Sequence, residues 1–157
     1  MIDVEMEDEA WRAALPEVEA LVHQAAQAAI DVSTPGDPER AVAILLTDDA
    51  AVADLNARFR GKPTSTNVLS FPAARSAYPH LGDVALAYGV CSGEAQAQGK
   101  SLADHLKHLV VHGVLHLLGY DHEAEADAEA MEQMECEILR RFGVADPYAQ
   151  RDADGEL

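Results

Sequence analysis

The chain is poor in positive charge, in cysteine and in long apolar stretches. Eleven Lys and Arg stand against twenty-eight Asp and Glu, a formal net charge of −17. Taken alone, that balance argues against a nucleic-acid partner, because phosphate binding needs a local positive field. The two cysteines, Cys91 and Cys136, lie far apart and form no CxxC pair. No disulfide framework is expected, and two unpaired thiols suit a reducing cytoplasm. Near the histidines the longest uninterrupted apolar run is Leu109-Val110-Val111, far short of a membrane span. Met1 to Ala10 is acidic, with no basic-then-apolar leader, so the expected location is cytoplasmic and no membrane partner is expected.

What remains is enough for one domain. In 157 residues, 48% hydrophobic content supplies a single sizeable core. The domain is placed at residues 1–150, with an acidic tail at 151–157. Met1 to Val4 reads as a short edge strand, and Leu15 to Ile30 as a helix with Leu15, Val18, Leu21, Val22 and Ala25 on one face. Ala41 to Leu46 is a buried strand, and Thr47-Asp48-Asp49 starts a helix carrying Ala51, Leu55 and Phe59. Asn67 to Phe71 and Asp83 to Tyr88 are strand-like. Helix resumes near Ser92 and again at Ser101, where Asp104 completes a weak capping box, and stops at Gly119. A last helix, Glu123 to Arg141, turns Met131, Met134, Ile138 and Phe142 inward. Strands mixed with helices, then helices together, make the fold class α+β.

The sequence HGVLHLLGYDH holds three histidines within eleven residues: His112, His116 and His122. The first two are four apart on a predicted helix, so both project from one face about one turn apart. That spacing lets two imidazoles reach one ion at about 2.0–2.1 Å each. Gly119-Tyr120-Asp121 then turns the chain so that His122 returns to the same ion. Three protein ligands leave a fourth tetrahedral position open, as in catalytic zinc sites. Gly113 stands where the HExxH peptidase motif places its glutamate base, which disfavours a peptidase. Asp121 is either a turn residue or an acceptor that orients a ligand imidazole. His108, one turn before His112, either lines the cleft and touches substrate or is a bland partly buried residue.

The positive charge is concentrated. Between Asp54 and Asp83 no acidic residue occurs, and the window carries Arg58, Arg60, Lys62 and Arg75. A basic strip beside a metal cleft suits a phosphodiester, and an arginine there stabilises developing charge. The acid-rich C-terminal 37 residues are read as a solvated helix face plus tail.

Three blocks then converge on one family. HGVLHLLGYDH, preceded by His108 to Val111, closely resembles the signature of the YbeY endoribonucleases, the rRNA maturation factors. Leu55-Asn56, Phe59-Arg60-Gly61-Lys62 and Thr66 to Pro72 form a second block; Leu81-Gly82-Asp83-Val84 is a third, and the last helix followed by Asp146-Pro147-Tyr148 also fits. The resemblance covers about Ala41 to Tyr148. It implies a small mixed four-stranded sheet with about five helices around a metal cleft. It also implies cleavage of single-stranded RNA in small-subunit rRNA 3′-end maturation and ribosome quality control. Carried over by position, His112, His116 and His122 are the ligands of one Zn2+ per chain. Arg60 is the functional arginine, catalytic together with His116; the basic window and the histidine helix face, not the resemblance, add Arg58, Lys62 and His108 as expected substrate contacts. The implied partners are rRNA and the small subunit or its proteins, not DNA. Two departures stand out: Pro63 replaces an acidic residue common three places after the arginine, and Asn67 replaces a frequent Asp. Two other readings stay open: a zinc-stabilised assembly factor that does not cut RNA, and a metallohydrolase of another substrate.

Overall fold

The computed structural model describes residues 1–37, 39–120 and 125–144, the side chain of residue 125 excepted. The acidic tail at 151–157 and the Asp146-Pro147-Tyr148 block lie outside them, as does the start placed at Glu123 for the last helix. Four strands form one sheet: β1 (Ile2–Met6), β2 (Ala41–Thr47), β3 (Val68–Pro72) and β4 (His80–Ala87). Their spatial order is β1-β2-β4-β3. β1, β2 and β4 run parallel, and β3 is an antiparallel edge strand on β4. This is the mixed four-stranded sheet of an α+β fold.

Among the described residues six α-helices surround it: α1 (Ala10–Ala14), α2 (Val18–Ser33), α3 (Asp49–Arg60), α4 (Tyr88–Ala97), α5 (Leu102–Leu117) and α6 (Glu125–Arg140). Side chains alternate across a strand, so β2 and β4 divide their residues between two faces. Val42, Ile44, Leu46, Val84 and Leu86 face the main core with α2, α5 and α6. Leu45, Leu69, Ala85 and Ala87 face a smaller cluster with Val52 and Leu55 of α3. α5 runs through the middle of the main core, with Leu106, Val110, Val111, Val114 and Leu115 fully buried. Its start is capped by Ser101, whose Oγ accepts the Asp104 N–H at 3.1 Å, and α3 starts likewise, with the Asp48 carboxylate accepting the Ala51 N–H at 2.8 Å. Among the described residues no helix is long and apolar enough to cross a membrane.

The sequence reading misses α1 and misplaces both ends of β4, in each case because a distant contact decides. α1 carries too few residues for a periodic pattern; it is anchored by Trp11, fully buried, whose Nε1–H donates to the Thr47 carbonyl at 3.0 Å. β4 begins at His80 instead of Asp83. Gly82 looks like a strand breaker, yet it adopts φ +145° beside Phe71, whose carbonyl oxygen occupies the space a Cβ would need. The strand passes through that close approach and pairs on both sides. At its other end Tyr88 starts α4 and does not finish the strand, and its ring meets Trp11 edge-on at 5.2 Å.

Candidate metal centre

α5 positions the histidines, and its C-terminal stop shapes their surroundings. The helix ends in a Schellman motif: the Tyr120 N–H donates to the Leu115 carbonyl and the Gly119 N–H to the His116 carbonyl, both at 3.1 Å. Gly119 adopts φ +98°, which only glycine accepts without strain, so the helix stops within three residues of His116. His122 and Asp121 lie outside the described residues.

The rings of His112 and His116 stand 4.6 Å apart, and their Nε2 atoms approach to 3.0 Å. Two nitrogens bound to one zinc at about 2.0–2.1 Å and a tetrahedral angle lie about 3.3 Å apart. The pair therefore points at one shared position with nearly the separation that a common ion requires.

The orienting group comes from α6 and was not anticipated. Glu135 is fully buried. Its Oε1 accepts from His112 Nδ1 at 2.8 Å, and its Oε2 accepts from His108 Nε2 at 2.6 Å. A carboxylate on Nδ1 fixes the His112 tautomer and leaves the Nε2 lone pair directed at His116. Burial by itself raises the Glu135 pKa, but the hydrogen bonds from His108 and His112 outweigh it and hold the carboxyl at about 2. Donor atoms of His108, His112 and Glu135 all lie within 4.8 Å of one another, a group able to hold a metal ion. The reading of the C-terminal acids as a solvated helix face is thus corrected at Glu135. A signal was present: Met131, Glu135 and Ile138 sit at helical spacing, so an acid occupies the apolar stripe.

Gly113 has a steric reason. A Cβ there would lie 2.8 Å from Val84 Cγ1 and 3.3 Å from both Ser70 Oγ and Val68 Cγ2. The glutamate of a peptidase motif does not fit where α5 presses on the sheet. Gly113→Ala is expected to destabilise the protein by about 1–2 kcal/mol. Overpacking of about 1–3 kcal/mol exceeds the roughly 1 kcal/mol that alanine gains in a helix. Urea unfolding checks this, and a more stable variant would show that the contact is easily relieved.

The basic strip is more dispersed than the sequence suggests. Arg58 and Asp54 form an exposed pair at 3.3 Å, and Lys62 and Arg75 are exposed. Arg60 reaches across edge strand β3, its Nη2–H donating to the Ser70 carbonyl at 2.7 Å. The Ser70 hydroxyl in turn donates to the Gly113 carbonyl at 2.9 Å. Two hydrogen bonds thus connect Arg60 to the residue beside His112. His108 is partly buried and held by Glu135. Asn67 has a positional role: its amide donates at 3.0 Å to Glu94, which also accepts from buried His105 at 2.9 Å. An aspartate at that position would set two carboxylates against each other.

Comparison with known proteins agrees with this architecture. The sequence pattern of the family described as Endoribonuclease YbeY matches residues 3–143. A protein of Maricaulis maris named Endoribonuclease YbeY is 50% identical over 154 residues, covering 96% of this chain and 93% of the relative. One of the same name from Chelativorans sp. is 53% identical over 134 residues, 82% of each chain. In fold, the chain is similar to the solution structure of TM1509 from Thermotoga maritima. The TM-score is 0.56 at 22% identity, covering 90% of this chain and 91% of that one. With a family pattern spanning nearly all of the described residues and relatives of about half identical sequence, the chain belongs to the endoribonuclease YbeY family.

Proposed function

We propose that the protein is a zinc-dependent endoribonuclease that cuts single-stranded RNA. In this reading it acts in the cytoplasm, in 3′-end maturation of small-subunit rRNA and in ribosome quality control, with the small subunit or its proteins as partner. Family membership supports the reaction class. The observation that carries the site is the convergence of His112 and His116 Nε2, with the far nitrogen of His112 held by Glu135.

His112, His116 and His122 are the proposed ligands of one ion. Glu135 is assigned to orienting His112, because its oxygens already accept ring hydrogens of His112 and His108 inside the core. A bound zinc supplies Lewis acidity toward a phosphate oxygen and lowers the pKa of water. Arg60 binds the scissile phosphate and offsets the charge that grows on it. A guanidinium has five N–H donors, so the one given to Ser70 leaves its fork able to take a phosphate. Gly113 supplies no carboxylate base, so either water or the RNA 2′-hydroxyl serves as nucleophile without a glutamate at that position.

The test is cleavage of a small-subunit rRNA 3′ precursor by the purified protein, before and after chelation and with zinc restored. Cutting that chelation removes and zinc restores supports the reading; cutting indifferent to chelation opposes it. Acid provides a second check. Histidine binds metal only when neutral, and protons compete below its ordinary pKa of about 6.5. Dialysis near pH 5 is therefore expected to release most of the ion. Glu135 remains ionised there, since its pKa is about 2, so the loss is assigned to the imidazoles. Full zinc retention after such dialysis would contradict an all-histidine site.

A further inference from the structure

Arg60, linked through Ser70 to the histidine helix, also borders a groove beyond the histidine site. On the sheet face away from α5, helix α3 leaves an open groove of about 640 Å³, lined by Leu45, Leu55, Phe59, Arg60, Phe71 and Asp83 among others. Two aromatic rings form its rim. Phe59 and Phe71 meet edge to face, with centroids 5.5 Å apart and planes at 63°. The Arg60 guanidinium lies over the Phe71 ring at 5.7 Å. Phe59 is 66% exposed, although Val52 and Asn56 are the buried anchors of α3. Its ring thus presents a large apolar face to solvent that the core does not use.

The surrounding charge selects the occupant. Arg60 lies against the rings, and Arg58 and Lys62 are near Phe59 in sequence, within a window free of acids from residue 55 to residue 82. The acids at hand are Asp83 in the groove and Asp54, paired with Arg58. An exposed aromatic face beside a guanidinium, in an acid-free basic stretch of a protein of net charge −17, fits an unpaired nucleobase with its phosphate. Geometry supplies the connection. Ser70 holds Arg60 through its carbonyl and α5 through its hydroxyl, so the edge of β3 separates the aromatic rim from the histidines.

We propose that Phe59, Phe71 and Arg60 form a nucleobase-stacking subsite, which holds one unpaired base of the RNA while the strand crosses the edge of β3 toward His112 and His116. The proposal rests on the ribonuclease reading and supplies its preference for single strands, since a paired, stacked base has no free face to offer.

The test uses full-length protein carrying His116→Ala, so that a labelled single-stranded RNA stays uncut while its affinity is read by fluorescence anisotropy. Adding Phe59→Ala is expected to weaken binding about tenfold. Phe59→Leu, which keeps apolar bulk without a π-face, should weaken it similarly, and Phe59→Tyr should restore it. Phe59→Trp gives a direct reading: Trp11 is fully buried, so quenching by RNA reports on position 59. Quenching together with the graded affinities supports the subsite. Unchanged affinity in Phe59→Ala, or binding without quenching, overturns it while precursor cleavage by the wild type leaves the nuclease reading intact. Absence of both RNA binding and cleavage in the wild type sinks both. Emission at position 59 that shifts with protein concentration, without RNA, would place a second copy on this face and also overturn it.

Discussion

His116→Ala will strip the protein of zinc and reduce precursor RNA cleavage by more than about a hundredfold, while the chain stays folded. The magnitude follows from the ligand's place. Losing only a group that orients a metal-bound histidine typically costs 10–100-fold, and His116 is assigned to the ion itself. Folding should survive because His116 is partly buried near the end of α5, where alanine is a good helix former. Metal content, a thermal melt with and without zinc, and cleavage of the rRNA precursor are measured on the same preparation. Wild type is expected to melt higher with zinc, since a ligand bound only to the native state stabilises it. The variant should show no such gain. A folded variant that keeps its zinc and cuts at the wild-type rate would remove His116 from the site. Cutting equal in both but without zinc in the variant would point to a contaminating ribonuclease.

Glu135→Gln is the second large effect, because it acts on stability and metal binding together. Glutamine keeps the shape but replaces one acceptor oxygen with an amide donor, so one of the two imidazole hydrogens loses its partner. Zinc affinity is expected to fall 10–100-fold. The stability effect carries a pH signature that a simple packing defect lacks. The Glu135 pKa is held at about 2, below its ordinary value of 4.5. A depressed carboxyl contributes stability that is present above the unfolded-state pKa and is lost as pH falls through the folded-state pKa. In metal-free protein, this contribution, on the order of 3 kcal/mol, should therefore disappear between about pH 4.5 and pH 2. Glu135→Gln should flatten the unfolding free energy across that window. Urea titrations at several pH values decide it, and parallel pH profiles for variant and wild type would show that Glu135 is not an ionised acceptor.

The two residues illustrate what kind of information each level holds. His112 and His116 were legible because four residues along a helix give one face, whatever the helix packs against. Gly119 was legible as a stop for a similarly local reason, and it is the pivot of the Schellman motif. Ser101 and Asp48 cap as expected, because a cap needs only the next turn of backbone. β2 announced itself by an uninterrupted aliphatic run between turn residues. By contrast, Glu135 stands 23 residues after His112 in a segment crowded with acids, and composition made it look solvated. Its spacing with Met131 and Ile138 places it on the apolar stripe, but only the packing of α6 on α5 brings it to His108 and His112.

Arg60 shows the same division within one side chain. Its place in an acid-free basic window could be read from the chain, yet its direction could not. The antiparallel edge position of β3 leaves the Ser70 carbonyl open to it, and Ser70 then reaches α5. The sequence by itself determined the α+β class, the helical histidine pair, its cap and its stop, since these depend on periodicity and on contacts within a few residues. Tertiary structure alone decided that Glu135 is buried against two imidazoles and that Gly113 has no room for a side chain. It also decided that Arg60 bridges toward the histidines across a strand edge. Those three facts depend on which distant surfaces meet, and burial, which sets the strength of a charge and the room for an atom, exists only once they have met.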